Sequence, residues 1–188
     1  MRLVALCDSP LNSALLLVES GNNSKLLGIL QSAATELSIP IYIIGGMAVA
    51  NYGYQRFTND IDILIYTNDS SNLANWLFKR GFVDQGRNHL VNGPMVINIC
   101  TPDVVAGTTK FPPIPSNTPG VKVIDLPRLL AMKLDANRYK DRADFVELVK
   151  ANKISLDYIT NQVAPLVQNQ MAKRMATTLW KKAQAEMK

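Results

Sequence analysis

The sequence predicts an α+β or α/β fold, with a core of mixed strands and helices followed by a helical C-terminal part. Up to residue 100, short apolar runs typical of strands alternate with segments whose apolar residues recur at helical spacing. The stretch 101–120 holds five of the ten prolines, and only helical periodicity follows it. We therefore expect an α/β core at 1–120 and a helical region at 121–188 that packs on this core.

Local patterns place the elements. Apolar residues between 24 and 37 share one helix face, and Ser24 is positioned as an N-cap. The dipeptide Asn92-Gly93 is a hairpin signal between two short strands. In chain order the predicted elements are helix 24–37, strand 41–44, helix 47–52, strand 60–66, helix 70–80, strands 82–84, 89–91 and 95–100, and helical segments 126–139, 142–150 and 156–188.

Composition narrows the function classes. A hydrophobic fraction of 47% with 19% charged residues is typical of a globular protein rather than a disordered one. The net charge of +5 suits a polyanionic partner such as a nucleotide or RNA. Cys7, Cys100 and the single His89 are too few and too scattered for a zinc site, and His89 is interpreted as structural.

No membrane association is expected from the sequence. The apolar run 13–18 is much shorter than the ~20 residues of a spanning helix. No clear signal-peptide cleavage site follows it, so we expect a cytoplasmic protein.

Two acidic residues lie inside one predicted strand. Asp60 and Asp62 are two positions apart, so their carboxylates project from the same face while Ile61 and Ile63 point into the core. Two adjacent carboxylates repel each other unless a cation lies between them, and hard oxygen ligands suit magnesium. A solvent-exposed acidic strand face is the alternative, and a lone Asp-x-Asp would favour it.

A glycine pair precedes these acids. Gly45 and Gly46 lead from a strand into a helix, an arrangement that lets backbone N–H groups approach a phosphate, although an ordinary turn has the same pattern. Asp-x-Asp begins fourteen residues after Gly46, and Arg56 and Thr58 lead into it. This combination is more specific than either motif and predicts a site for a nucleoside triphosphate and a metal.

Two stretches carry a family resemblance. The string GGMAVANYGYQRFTNDIDILI resembles the signature of the nucleotidyltransferase superfamily related to DNA polymerase β. Its Gly-Gly-x-Ala start and Arg-x-Thr-x-Asp-Ile-Asp end resemble the bacterial branch near the AbiEii toxins of abortive-infection and toxin–antitoxin systems. The string DLPRLLAMKLDANRYKDRADFVEL resembles the helical segment of that branch, in which a lysine, here Lys133, precedes a basic and acidic run.

The resemblance implies a mixed β-sheet flanked by helices, and a magnesium-dependent transfer of a nucleotidyl group from a nucleoside triphosphate. RNA, a protein or a small molecule would be the acceptor, and a cognate antitoxin or toxin is an implied partner. Two magnesium ions held by three carboxylates would align the triphosphate. By position, the implied metal ligands are Asp60 and Asp62, and the implied nucleotide-binding residues are Gly45, Gly46, Arg56, Thr58 and Lys133.

The chain departs from this pattern at the third carboxylate. The matching strand, 95–100, has Asn98 at that position, so the implied catalytic set is Asp60, Asp62 and Asn98. An amide can ligate magnesium but cannot accept a proton, and a general base typically contributes ~10²–10⁴-fold to a rate. Open interpretations are a slow enzyme, an enzyme that uses another acid such as Asp103, a different strand alignment, or a degenerate module that binds nucleotide or a partner without catalysis.

The C-terminal motif also has a simpler interpretation. In this alternative, Lys133 lies on the exposed side of a helix that packs through its apolar face. Its acidic and basic followers would then be surface ion pairs, each worth a few tenths of a kcal/mol. These followers are Arg138, Asp141, Arg142 and Asp144.

Overall fold

The structure is a computed structural model that describes residues 21–56, 58–102, 118–167 and 169–188. Cys7, the apolar run 13–18 and Asp103 lie outside the described residues. In the part that is described, no helix has both the length and the apolar character needed to cross a membrane.

The centre of the molecule is a six-stranded mixed sheet with the order β3-β4-β5-β2-β1-β6. Two pairings, β1 with β6 and β2 with β5, are parallel, and the other three are antiparallel. The predicted α+β class with a mixed sheet is confirmed. The strands are β1 Pro40–Ile43, β2 Ile61–Leu64, β3 Val83–Asp84, β4 His89–Asn92, β5 Met95–Cys100 and β6 Gly120–Val123.

Helices precede, interrupt and follow the sheet. The α-helices are α1 Gly21–Glu36, α2 Gly45–Asn51, α3 Thr67–Phe78, α4 Leu126–Ala136, α5 Tyr139–Ala151, α6 Leu156–Tyr158 and α7 Gln170–Glu186. Helix α4 begins where Asp125 accepts a hydrogen bond from the Arg128 backbone N–H at 3.0 Å, and it ends at Asn137 in the left-handed conformation. Helix α4 packs on α5, and α5 packs on α7.

The inward side of the central strands is apolar, as the alternation predicted. Ile61 and Ile63, which flank Asp62, are fully buried. Ile41, Ile43 and Ile97 are fully buried on the neighbouring strands. Burial of these branched side chains fixes the strand register, because a slip by one residue would bring the acids into the core.

Strand β6 was not predicted. Gly120–Val123 falls where the sequence suggested the end of a loop and then helices only, yet it pairs in parallel with β1 from Pro40↔Gly120 to Ile43↔Val123. Four residues directly after a proline-rich stretch are too few to show strand periodicity. The region after residue 120 thus contributes a strand to the sheet as well as helices, and the division into two domains stays a prediction.

The last helical segment was predicted to be continuous over 156–188, but the structure interrupts it. Between α6 and α7 the chain passes through a π-helical turn, Ile159–Val163, and a 3₁₀ turn, Ala164–Leu166. Pro165 explains the break, because proline lacks the N–H that an α-helix needs and its ring clashes with the preceding turn. Helix α3 also begins three residues earlier than expected, at Thr67.

Candidate active site

Two acids and one amide meet where β2 and β5 lie side by side. The parallel register places Asp62 opposite Asn98. The Asn98 side-chain nitrogen donates to Asp60 Oδ2 at 2.9 Å and to Asp62 Oδ1 at 2.8 Å. Asn98 therefore lies beside the acid pair, on the strand next to β2, and both carboxylates converge on its amide nitrogen.

Asp60 lies just before β2 rather than in it, so its position depends on a local contact. Thr58 Oγ1 donates to Asp60 Oδ1 at 2.9 Å and also lies 3.3 Å from the Asp60 carbonyl oxygen. The Asn23 side chain of α1 in turn reaches the Thr58 carbonyl at 3.5 Å. Thr58 thus orients the first acid of the pair.

The glycine pair lies directly against this cluster. Gly45 has a φ of +63°, and a β-carbon there would overlap Asp62 Oδ2. A β-carbon on Gly46 would lie 2.9 Å from Thr58 Oγ1 and 3.1 Å from an Arg56 guanidinium nitrogen. Because glycine has no β-carbon, the first turn of α2, where both glycines lie, can approach the acids closely.

Asp62 is in an unusual electrostatic position. Burial raises the pKa of Asp62 above its ordinary value, the hydrogen bond from Asn98 opposes that shift, and the negative charge of Asp60 reinforces it. The Asn98 –NH₂ group thus bridges the two acids at a point that a cation could also occupy.

A cavity of about 460 Å³ opens in front of Asp62, between the strand ends and the face of α4. Apolar residues of α4, including Leu129 and Met132, form part of its wall. The polar groups and glycine at its surface are Gly45, Asp62, Lys133, Asp135, Arg138 and Asp141.

Lys133 is the centre of a buried ion cluster in that wall. Its side chain is 6% exposed, and its ammonium lies 3.1 Å from Asp141 Oδ1 and 2.7 Å from Asp144 Oδ2. Arg56 Nε lies 2.9 Å from Asp144 Oδ1, and Arg138 Nε lies 2.5 Å from Asp141 Oδ2. Three cations around two anions give a net charge of +1.

The surface interpretation of this motif is wrong for Lys133, Asp141 and Asp144, because all three are buried. Burial alone would raise the pKa of Asp141, but the hydrogen bond from Arg138 and the charge of Lys133 prevail and lower it. Lys133 also acts on Asp62, where its positive charge lowers the pKa of the carboxyl. Arg142 is separate from this cluster and donates to Asn137 Oδ1 at 2.7 Å.

Comparison with known proteins identifies the fold. The sequence matches no protein-family model and no curated protein. A nucleotidyltransferase-like antigenic protein from Paracoccidioides brasiliensis superposes with a TM-score of 0.51 at 16% identity, over 95% of this chain and 93% of that one. The solution structure of the antibiotic-resistance factor ANT(2'')-Ia gives a TM-score of 0.51 at 13% identity, over 88% and 96%. The chain has the nucleotidyltransferase fold.

Asp60 and Asp62 provide two of the oxygen ligands that a magnesium ion would need. Two carboxylate oxygens lie within 2.9 Å of the Asn98 amide nitrogen, and they define a point that a cation could share. Magnesium typically takes one or two protein carboxylates and completes its shell with water and phosphate oxygens. Among the described residues there is no group of three or more His, Cys, Asp or Glu that could hold a metal. The donor set is therefore two carboxylates and an amide.

Sequence reasoning missed the role of His89. Its Nδ1 atom lies 2.7 Å from Asn98 Oδ1, because β4 and β5 form a hairpin in which His89 faces Asn98. The two turn residues are Gly93 and Pro94, so Asn92 pairs with Met95 and, counting outward, His89 lies opposite Asn98. Taking Asn92-Gly93 as the turn residues would have placed Val96 opposite His89, so that dipeptide alone did not indicate the register.

Asp135 was also missed. One of its carboxylate oxygens is buried without a hydrogen-bond partner among the described residues, and burial raises its pKa to about 6. Cys100 lies at the same cavity, where burial, together with the charge of Asp62, raises the pKa of its thiol to about 11. The thiol is consequently neutral near pH 7 and is a poor nucleophile.

Proposed function

We propose that this protein is a magnesium-dependent nucleotidyltransferase that moves a nucleotidyl group from a nucleoside triphosphate to an acceptor hydroxyl. RNA, a protein side chain or a small molecule would carry that hydroxyl. The observation that carries the proposal is the convergence of Asp60 and Asp62 on one point, beside a cavity that Asp62 lines together with Lys133 and Arg138.

Asp60 and Asp62 would hold the metal, since their oxygens already point to a common centre. Bound magnesium would supply charge stabilisation at the reacting phosphate. The resemblance implies two ions, and Asn98 could add only a neutral oxygen to the two carboxylates. Thr58 would keep Asp60 oriented, and Gly45 would keep the space beside Asp62 open.

The triphosphate would lie towards the wall formed by α4 and the start of α5. Lys133 is engaged by two buried aspartates, so its charge would act from within the wall rather than by direct approach. Arg138 is better placed for contact, because 63% of its side chain is exposed while Asp141 anchors its guanidinium. Arg56 would support the same wall through Asp144. Lys133 and Arg138, opposite the acids, would attract the negative charge of a polyphosphate.

The proposed reaction requires a group that accepts the proton of the acceptor hydroxyl. Asn98 cannot accept it, and its amide nitrogen is turned towards the acids. Without a general base, transfer would be slower by about 10²–10⁴-fold than with one. We therefore expect slow turnover.

A transfer assay tests the proposal. The protein would be incubated with magnesium and nucleoside triphosphates labelled at the α-phosphate, together with total RNA, protein lysate or small polyols. Label should move to one acceptor class with the wild type and with Asp84→Asn, an exposed aspartate on β3, and not with Asp62→Asn. Equal transfer by Asp62→Asn would contradict the assignment.

The second candidate is a nucleotide-binding or partner-binding module without catalysis. Asn98 favours it, because the amide occupies the point between the acids with hydrogen-bond donors. Membership of the AbiEii branch, a toxin–antitoxin role and a cognate protein partner belong to this candidate as much as to the enzyme. Magnesium-dependent nucleotide binding without transfer to any acceptor, with transfer gained in Asn98→Asp, would support it.

A further inference from the structure

The hydrogen bonds around Asn98 fix the position of a proton on His89. Carboxylates only accept hydrogen bonds, so Asp60 and Asp62 must both face the Asn98 –NH₂ group. The Asn98 amide oxygen then points to His89 Nδ1 at 2.7 Å. An amide oxygen carries no proton, and the hydrogen of that bond must therefore come from Nδ1 of the imidazole.

The opposite amide orientation is excluded in the metal-free site. It would direct the amide oxygen at two carboxylates, leaving three acceptors in contact without a donor. It would also place the amide nitrogen against an Nδ1–H group, so that two donors would face each other. Both changes are unfavourable in a half-buried site.

A cation between the acids reverses this preference. The –NH₂ group of Asn98 would then face a positive charge, whereas the amide oxygen would be attracted to it. Once the amide has turned over, its nitrogen faces His89 and requires a bare Nδ1 as acceptor. A neutral imidazole provides one in its other tautomer, with the proton on Nε2.

We propose that His89 and Asn98 form a coupled switch that senses the cation at Asp60 and Asp62. In the metal-free protein, His89 Nδ1–H holds the Asn98 amide nitrogen between the acids. When a divalent cation binds, the amide turns over and His89 changes to the Nε2–H tautomer. The ring loses a proton at Nδ1 and gains one at Nε2 through solvent water, so its net charge is unchanged. His89 is a positioning residue, since it acts through Asn98.

The metal-free half of this proposal stands on the hydrogen bonds alone. The metal-bound half rests on the proposed function, because it requires a divalent cation at the two acids.

Nitrogen NMR of the imidazole ring tests both halves directly. His89 is the single histidine of the chain, so its two ring nitrogens give unambiguous signals. Spectra would be recorded at rising pH until the ring shifts stop changing, so that the neutral imidazole is observed. Without metal, we expect a protonated-nitrogen shift at Nδ1 and a bare-nitrogen shift at Nε2. Magnesium at saturation should exchange the two shifts. An Nε2–H tautomer in the metal-free protein would overturn the switch.

Asn98→Asp is the matched control. Its carboxylate can accept from His89 Nδ1–H whether or not magnesium is bound, so the ring should keep Nδ1–H in both states. A tautomer exchange in Asn98→Asp on adding magnesium would mean that the ion acts on the ring directly, and would refute the amide coupling.

Calorimetric titration with magnesium separates the two proposals. Magnesium binding to the wild type with Nδ1–H retained would overturn the metal-bound half of the switch and leave the proposed function standing. Failure of the wild type to bind magnesium would count against the proposed function and against the metal-bound half of the switch. The metal-free half would still be decided by the tautomer of His89 without magnesium.

Discussion

Gly45 lies so close to Asp62 that a β-carbon on the glycine would overlap the carboxylate oxygen Oδ2. The backbone brings them together, because the N–H of Ile44 donates to the Asp62 carbonyl at 2.9 Å. The first turn of α2 and Asp62 on β2 are thus held in contact by the backbone. The glycine leaves the half-buried Asp62 carboxylate free to face both Asn98 and the cavity.

Gly45→Ala is therefore expected to displace the Asp62 side chain. The substitution also places a β-carbon at a φ of +63°, and the two effects together should lower the free energy of unfolding by about 1–3 kcal/mol. Magnesium-dependent nucleotide binding should fall with it. Gly53→Ala is the control, since Gly53 has a φ of +95° but only an ordinary contact, 3.5 Å to the Ala151 β-carbon. Equal nucleotide affinities for the two variants would show that the close contact between Gly45 and Asp62 does not matter for nucleotide binding.

Asn98→Asp should make stability depend on magnesium. It replaces two hydrogen bonds to carboxylates by repulsion among three acids, so we expect the metal-free protein to lose about 2–4 kcal/mol in free energy of unfolding. Magnesium should restore much of this loss. The measurement is urea unfolding with EDTA and with magnesium, and Asn75→Asp on the exposed face of α3 is the control. A magnesium response no larger than that of the wild type would contradict the expectation.

Lys133→Met should destabilise the protein strongly. It would leave Asp141 and Asp144 buried with less compensation, and breaking a buried ion pair typically costs about 3–5 kcal/mol. Lys181→Met, at an exposed position of α7, should leave the urea midpoint unchanged. A Lys133→Met midpoint equal to that of the wild type would show that the cluster contributes little to folding, and loss of activity in that variant could then be assigned to nucleotide binding.

Asp135 predicts a particular pH dependence. Its pKa in the folded protein, about 6, lies above the ordinary value of 3.8, so the folded state holds the proton more tightly than the unfolded state. Ionisation of Asp135 therefore lowers stability as the pH rises from about 4 to about 6, and the loss persists above that range.

Asp135→Asn should remove this loss. Because the side chain is partly exposed, we expect a gain in unfolding free energy of about 1 kcal/mol or less at pH 8, and a smaller difference from the wild type near pH 4. Urea unfolding at the two pH values measures it. A difference that is the same at both would show that the burial of Asp135 does not affect its ionisation.

The sequence was sufficient for the parts of the fold and site that depend on short-range patterns. Alternation of acid and isoleucine located β2 and the shared face of Asp60 and Asp62, and the matching apolar strand led to Asn98. What the sequence left open depends on pairing across the chain. β6 is defined by its contact with β1 rather than by its own pattern. The burial of Lys133 depends on two aspartates from the next helix, eight and eleven positions further on.

His89 belongs to the features that depend on pairing between strands. As a lone histidine it has no motif, and only its cross-strand position opposite Asn98 gives it a role. The observed register, with Gly93 and Pro94 as the turn residues, places His89 there, and the direction of its hydrogen bond follows from the two carboxylates on the other side of Asn98.

We propose above all that Asp60 and Asp62 bind a nucleoside triphosphate through magnesium. Equilibrium binding of a triphosphate with a methylene bridge between its α- and β-phosphates measures this without turnover. The wild type and Asp84→Ala should bind it about 10-fold or more tightly with magnesium than with EDTA, a difference of at least about 1.4 kcal/mol. Asp60→Ala and Asp62→Ala should lose that difference. Equal magnesium dependence in all four proteins, or no binding by the wild type, would contradict the account.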